Sequence, residues 1–158
     1  MITKYFYLLL ALLLWNCQVD PASLQAPATT QTLIDGIPFK KEFSIQAGEQ
    51  VVLAGGEAPR KLHLALKQLN DSRCPDQVTC VQYGAASVLL SVANSQGKND
   101  SLELCIGGCT GQTPRSTHTV TVLIGQTSYS ITLKEIKPYP GLEKFEDVKQ
   151  AVLVVEKL

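Results

Sequence analysis

Residues 61–67 read Lys-Leu-His-Leu-Ala-Leu-Lys. Leu62, Leu64 and Leu66 fall on one side of an extended chain, with Lys61, His63, Ala65 and Lys67 on the other, because successive strand side chains point to opposite faces. Such alternation marks a strand with one face buried and one wet. The same period of two recurs outward from this stretch. Toward the N-terminus it appears in Phe43 and Ile45, and in Val51 and Leu53 beyond the turn Ala47-Gly48-Glu49. Toward the C-terminus Ala86, Val88, Leu90 and Val92 share a face opposite Ser87 and Ser91. Leu102, Leu104 and Ile106 follow, then Val120, Val122 and Ile124, and after a short turn at Gly125-Gln126 come Tyr129, Ile131 and Leu133. Ala151 to Val155 is a continuous apolar run that suits a strand covered on both faces. Strands at this spacing, separated by turn residues, predict an all-β chain: a single β-sandwich of about eight mostly antiparallel strands.

Two interruptions refine that expectation. The alternation breaks between Leu66 and Leu69 and again between Leu133 and Ile136, and one extra residue in each strand, a β-bulge, would return the second apolar side chain to the core. Leu142 to Gln150, after Pro140-Gly141, is the one segment whose composition allows a turn or two of helix. There is no internal repeat.

The chain has 158 residues, 45% of them hydrophobic, which suits one globular domain. Its 14 basic and 14 acidic residues cancel, and removal of Lys4 with the first 16 residues would leave −1. With no basic run, it lacks the electrostatic footprint of a nucleic-acid binder.

The N-terminus carries an address. Lys4 precedes an unbroken apolar run from Tyr5 to Trp15. As a helix those residues would rise about 16 Å, well short of the roughly 30 Å hydrocarbon core, so the run reads as the apolar centre of an export signal. It stops at Leu14-Trp15-Asn16-Cys17, which resembles the lipobox of bacterial lipoproteins, where the cysteine becomes the lipid-modified first residue. Leu14 fits that pattern, while Trp15 and Asn16 are larger or more polar than its usual small residues. An ordinary cleaved signal is the alternative, but no small-x-small site follows closely. The expected organisation is a lipoprotein signal peptide at 1–16, a lipidated Cys17 with a flexible tether through residue 34, and a β-sandwich domain at 35–158. The Pro-, Ala-, Thr- and Gln-rich tether would span about 20–25 Å as a coil. A bacterial diacyl or triacyl anchor places more than one chain in the bilayer, enough for stable attachment.

Four further cysteines, Cys74, Cys80, Cys105 and Cys109, are an even count in an exported chain and argue for two disulfides. Of three possible connectivities, local pairing of Cys74 with Cys80 and of Cys105 with Cys109 suits the turn residues Pro75 and Gly107-Gly108. The rival is a thiolate metal site, with His118 nearby. However, structural zinc favours shorter Cys-x2-4-Cys pairs and reducing compartments. Copper-handling redox proteins share Cys-x3-Cys, but on thioredoxin-like scaffolds that this pattern of strands does not match. No metal or cofactor is expected.

From Asp71 the chain reads DSRCPDQVTCVQYGAASVLLSV. Asp71, Ser72, Arg73, Cys74, Pro75, Cys80, Tyr83, Gly84 and Ala86 carry a resemblance to a family of small, mostly uncharacterised lipoproteins of Bacteroidota-like envelopes. That family has Trp-Ala-Gly where this chain has Gln82-Tyr83-Gly84, and a closing segment similar to Pro138-Tyr139-Pro140. The resemblance implies the fold and the Cys74–Cys80 pairing, and no activity.

Asp71, Ser72, Arg73 and Asp76 form the most polar cluster beside a constrained turn. As a recognition loop, Arg73 would present its guanidinium to a carboxylate or phosphate. The structural alternative has Asp71 and Ser72 capping the turn while Arg73 pairs locally. His63 falls on the polar side of its strand and His118 in a Thr/Ser-rich loop, neither beside a recognisable nucleophile. No Gly-x-Ser-x-Gly, His-Glu-x-x-His or phosphate loop occurs, so the chain reads as non-enzymatic. The Asp-Ser-Leu at 100–102 matches a short bacterial O-glycosylation pattern, a three-residue match that chance explains.

The expected function is that of an envelope interaction module, binding a protein or glycan through loops at one end of the sandwich. A periplasmic inhibitor of a hydrolase, a lysozyme or protease, is the alternative and requires one protruding rigid loop. A redox or metal-handling role through Cys105 and Cys109 is the third. Gln18 after the cysteine is not the aspartate that retains some lipoproteins in the inner membrane, which favours the outer membrane, facing the periplasm.

Overall fold

The computed structural model describes residues 34–109 and 113–158. The expected signal peptide, Cys17 and the tether up to residue 33 lie outside the described residues. Among the described residues nine strands form: β1 (Ile34–Pro38), β2 (Glu42–Gln46), β3 (Gln50–Ala54), β4 (Lys61–Asp71), β5 (Ala85–Asn94), β6 (Gly97–Gly107), β7 (His118–Ile124), β8 (Thr127–Lys137) and β9 (Gln150–Lys157). They pair into a five-stranded sheet, β1-β3-β4-β5-β6, and a four-stranded sheet, β2-β9-β8-β7. Every pairing is antiparallel except β1 with β3. The expected all-β sandwich is the fold.

One core lies between the sheets. Leu62, Leu64 and Leu66 of the opening stretch are fully buried in it, beside Leu90, Leu104, Ile131, Leu133 and Leu153. Val152, on the outer face of β9, is buried as well, as the apolar run Ala151 to Val155 anticipates.

Both expected bulges are present. The β4–β5 register shifts between Leu66 and Gln68, and the β8–β9 register between Leu133 and Glu135. Each shift returns the later side chain, Leu69 or Ile136, to the core. A third shift, between β5 and β6 at Leu90/Val92, left no sequence signal. Its surplus residue lies in the polar run Asn99-Asp100-Ser101 on β6, where no apolar alternation is broken. Asp100 there accepts from Ser91 Oγ (2.7 Å) and pairs with Lys67 and Lys98. Those partners, Ser91 first, hold its carboxyl well below the usual range.

Two expectations are corrected. A ninth strand, β1, begins at Ile34, one residue inside the expected tether. Its sequence Ile-Asp-Gly-Ile-Pro has no alternation, and pairing with β3 alone makes it a strand. Leu142 to Gln150 is not helical. The segment is too short to nucleate a helix unaided, and local side-chain bonds claim its amides. Gly141 N donates to Glu143 Oε2 (2.6 Å) and Lys144 N to Asp147 Oδ2 (2.8 Å).

Candidate functional site

Three loops gather at one end of the sandwich, because β4, β6 and β8 all finish there while β5, β7 and β9 start there: residues 72–84, 108–117 and 138–149. At the opposite end the connections are short. The hairpin tips beyond Asn94 and Ile124 abut, with Asn94 Nδ2 donating to Ile124 O (3.0 Å) and Tyr129 Oη (3.2 Å). Tight hairpins leave little chain to build a surface, so the loop end is where side chains are free to vary from the strand pattern.

Asp71, the last residue of β4, anchors the loop end. Its side chain is 2% exposed and takes two parallel bonds from Arg73, Nε to Oδ1 and Nη2 to Oδ2, each 2.8 Å. Arg73 N also donates to Oδ1, at 3.3 Å. Arg73 Nη2 reaches Ile136 O (2.6 Å), and the guanidinium carbon lies 4.4 Å from the centroid of the Tyr139 ring. From the far side Lys149 Nζ donates to Asp71 Oδ2 (3.1 Å) and Pro138 O (2.7 Å) and pairs with Glu143 (2.6 Å). Burial alone would raise the Asp71 pKa, but the hydrogen bonds from Arg73 and Lys149 outweigh it and hold the carboxyl below its ordinary value. The result is a clasp between the 72–84 and 138–149 loops, reinforced by Asp76 N donating to Pro140 O (2.8 Å).

Arg73 is therefore engaged through Nε and Nη2, and its side chain is only 9% exposed. Ser72 closes the loop by donating through both N and Oγ to Ala85 O. Of the four expected recognition residues, Ser72 and Asp76 are exposed, while Asp71 and Arg73 are drawn into the clasp.

Both local disulfides form: Cys74–Cys80 with sulfurs 2.14 Å apart and Cys105–Cys109 at 2.03 Å. Gly107 sits at φ +82, a backbone that favours glycine. A Cβ on Gly84 would lie 1.7 Å from Ser72 O, and one on Gly108 2.5 Å from Tyr83 O. Glycine at 84 lets the two ends of the 72–84 loop close on each other, and glycine at 108 lets the start of the next loop stack on Tyr83. Gly108 N donates to Gly84 O (2.9 Å) across that contact. His118 Nδ1 accepts from Cys105 N (3.0 Å), so its proton sits on Nε2. Burial, then the charge of Arg115, lowers its pKa. Arg115 Nε is buried there and makes no hydrogen bond. His63 lies on the outer face of the five-stranded sheet, near Gln50.

Against this fixed frame the loop tips are apolar. Val78, Val81 and Tyr83 on one loop, and Leu142, Phe145 and Val148 on the other, are exposed. Sequence reading missed them as a surface, since the 142–148 group resembled one side of a short helix and the 78–83 group carries no period. Among the described residues no cluster of three or more His, Cys, Asp or Glu is arranged to hold a metal. An open cleft of about 900 Å³ at the hairpin end is lined by Phe39, Gly55, Thr127 and Lys157. The Lys157 ammonium is engaged by Glu57 O and Pro59 O. Comparison with protein-family models, with curated proteins and with solved structures found no match.

Proposed function

We propose that the chain is a lipid-anchored, non-catalytic envelope protein whose loop end is its binding surface. One observation carries the reading: a clasp and two disulfides fasten three loops into a fixed frame that presents exposed apolar side chains instead of burying them. Large exposed apolar side chains grouped on neighbouring loops support an interaction site, and fixing them in advance lowers the entropy lost on binding. Within the clasp Asp71, Arg73, Lys149 and Glu143 are engaged with one another, which suits a structural support for a binding surface. Cys17 and the export signal supply the anchor and the periplasmic, outer-membrane address.

A hydrolase inhibitor is the second reading. The specific support is the seven-residue ring closed by Cys74–Cys80, which has the rigidity an inserted loop needs and carries Val78 outward. Metal handling would need Cys105 and Cys109 as thiols, whereas a redox role could start from the disulfide they form.

The test is recovery of envelope components by lipidated protein after cross-linking. Wild type is expected to capture material that Val81→Asp/Phe145→Asp does not, while Leu123→Asp, at the hairpin end, captures as wild type does. Equal capture by all three sinks the loop-end reading.

A further inference from the structure

We infer that Cys105–Cys109 is an exchangeable disulfide that a dithiol reductant opens, with Arg115 as the cation that stabilises the thiolate released. The inference is independent of the loop-end reading, since exchange at this ring and capture at the loop tips can fail separately.

The first observation is an unbalanced charge beside the ring. Arg115 is bridged to Gly107, which lies between the two cysteines: Gly107 N donates to Arg115 O (2.7 Å) and Arg115 N to Gly107 O (3.2 Å). Cys109 N donates to the same Gly107 O (3.0 Å), so Arg115 and Cys109 start side by side from one carbonyl. Arg115 Nε is buried there without a hydrogen-bond partner, and among the described residues no carboxylate pairs with its guanidinium. A buried donor without an acceptor is costly. The disulfide offers it nothing, because bridged sulfurs are neutral and accept weakly. A thiolate is an anionic acceptor, so reduction removes the cost. A dithiol form stabilised in this way makes its disulfide easier to reduce.

The second observation places that charge over the same end of β6. His118 Nδ1 accepts from Cys105 N (3.0 Å), and after burial it is the Arg115 charge that lowers the His118 pKa. The cation next to the other disulfide, Arg73, is by contrast committed to Asp71.

The third is access. Leu104 and Ile106 face the core, which puts Cys105 on the outer face of β6, the edge strand of its sheet, where it is partly buried. Cys109 is only 8% exposed. Attack therefore falls on Cys105 Sγ. One thiolate of the reductant bonds to Cys105 Sγ as the S–S bond breaks, and the electron pair goes to Cys109 Sγ. The reductant's second thiolate then attacks its own sulfur in the mixed disulfide and releases Cys105. The ring gains two electrons and the reductant leaves as a disulfide. Of the reductant's two protons, one goes to Cys105 and the other to solvent.

The test equilibrates the purified protein with graded ratios of reduced to oxidised dithiothreitol, then alkylates and digests it so that mass spectrometry reads each cysteine separately. Cys105 and Cys109 are expected to reach half-reduction in wild type at a ratio about tenfold lower than in Arg115→Gln, which keeps the backbone bridge and removes the charge. Cys74 and Cys80 are expected to titrate alike in both proteins. In the reduced protein, the alkylation rate against pH is expected to place the Cys109 thiol below its ordinary value of about 8.5, and Arg115→Gln to raise it by about one unit. Arg115→Lys, which restores a cation, should recover part of both shifts. An unchanged midpoint in Arg115→Gln overturns the inference, as does a wild-type Cys109 thiol at or above its ordinary value. A midpoint that moves equally for both disulfides assigns the effect to a general loosening of the loops and overturns it too.

Discussion

Asp71 shows how a polar cluster legible in sequence changes meaning once its partners are in place. The stretch Asp71-Ser72-Arg73 reads equally as a ligand loop or as a capped turn. Burial of the carboxylate between Arg73 and Lys149 decides for the turn. A buried carboxylate with two cations is costly to break, because its removal leaves the cations unpaired in a desolvated setting. Asp71→Ala is expected to cost about 3 kcal/mol, at the low end for a buried pair because Lys149 keeps some solvent access. Urea denaturation at neutral pH measures it, and a loss near zero would mean that solvent replaces the clasp. The pH dependence follows in sign. The Asp71 pKa is lower in the folded chain, so its contribution is complete above about pH 4, the unfolded value, and is lost as pH falls through the folded value. Wild type should lose stability in acid more steeply than Asp71→Asn.

At the scale of the element, the loops depend on covalent and steric devices that strands do not need. The sandwich strands are held by ladders and by the core. The 72–84 loop buries little and contains the short Cys74–Cys80 ring, while Cys105–Cys109 ties the end of β6 to the residue two beyond it. Small rings remove modest unfolded-chain entropy, so replacing Cys74 and Cys80 together by alanine is expected to cost about 2 kcal/mol. The sandwich should survive, since its core contains neither cysteine. Circular dichroism should be unchanged, while protease cleaves the variant between residues 74 and 84. Loss of the β spectrum would instead make the ring part of the folding core. The bulges at Leu66/Gln68 and Leu133/Glu135 were legible because each interrupts an apolar alternation. The shift opposite Asp100 was not, since it interrupts only polar residues. β1 left no signal for a related reason: a strand without an apolar face exists only through its partner.

Across the whole molecule, the buried core and the proposed binding surface sit in different places. Stability comes from the leucine- and valine-rich layer between the sheets. Leu104→Ala, at a fully buried position, is expected to cost about 3 kcal/mol through lost burial and the cavity left behind. Denaturant unfolding checks it; a cost under about 1 kcal/mol would mean the core collapses freely around the gap. The proposed interaction belongs to the loop end, where apolar residues face outward. The same chemical preference for leaving water organises both, satisfied inside the sandwich and left open at the tips.

The sequence by itself determined the sandwich, the two bulges and the pairing of near-neighbour cysteines, because each is written in local periodicity or spacing. It also carries the apolar run Tyr5 to Trp15 and Cys17, on which the proposed export signal and anchor rest. The tertiary structure decided what no local pattern holds: that Arg73 faces inward, that Lys149 and Glu143 join Asp71 from 78 and 72 residues away, and that Leu142, Phe145 and Val148 face solvent. The physical reason is one of range. Backbone period and ring closure act over a few residues, whereas the partner of a buried charge or an exposed apolar side chain is fixed only when distant strands bring their ends together.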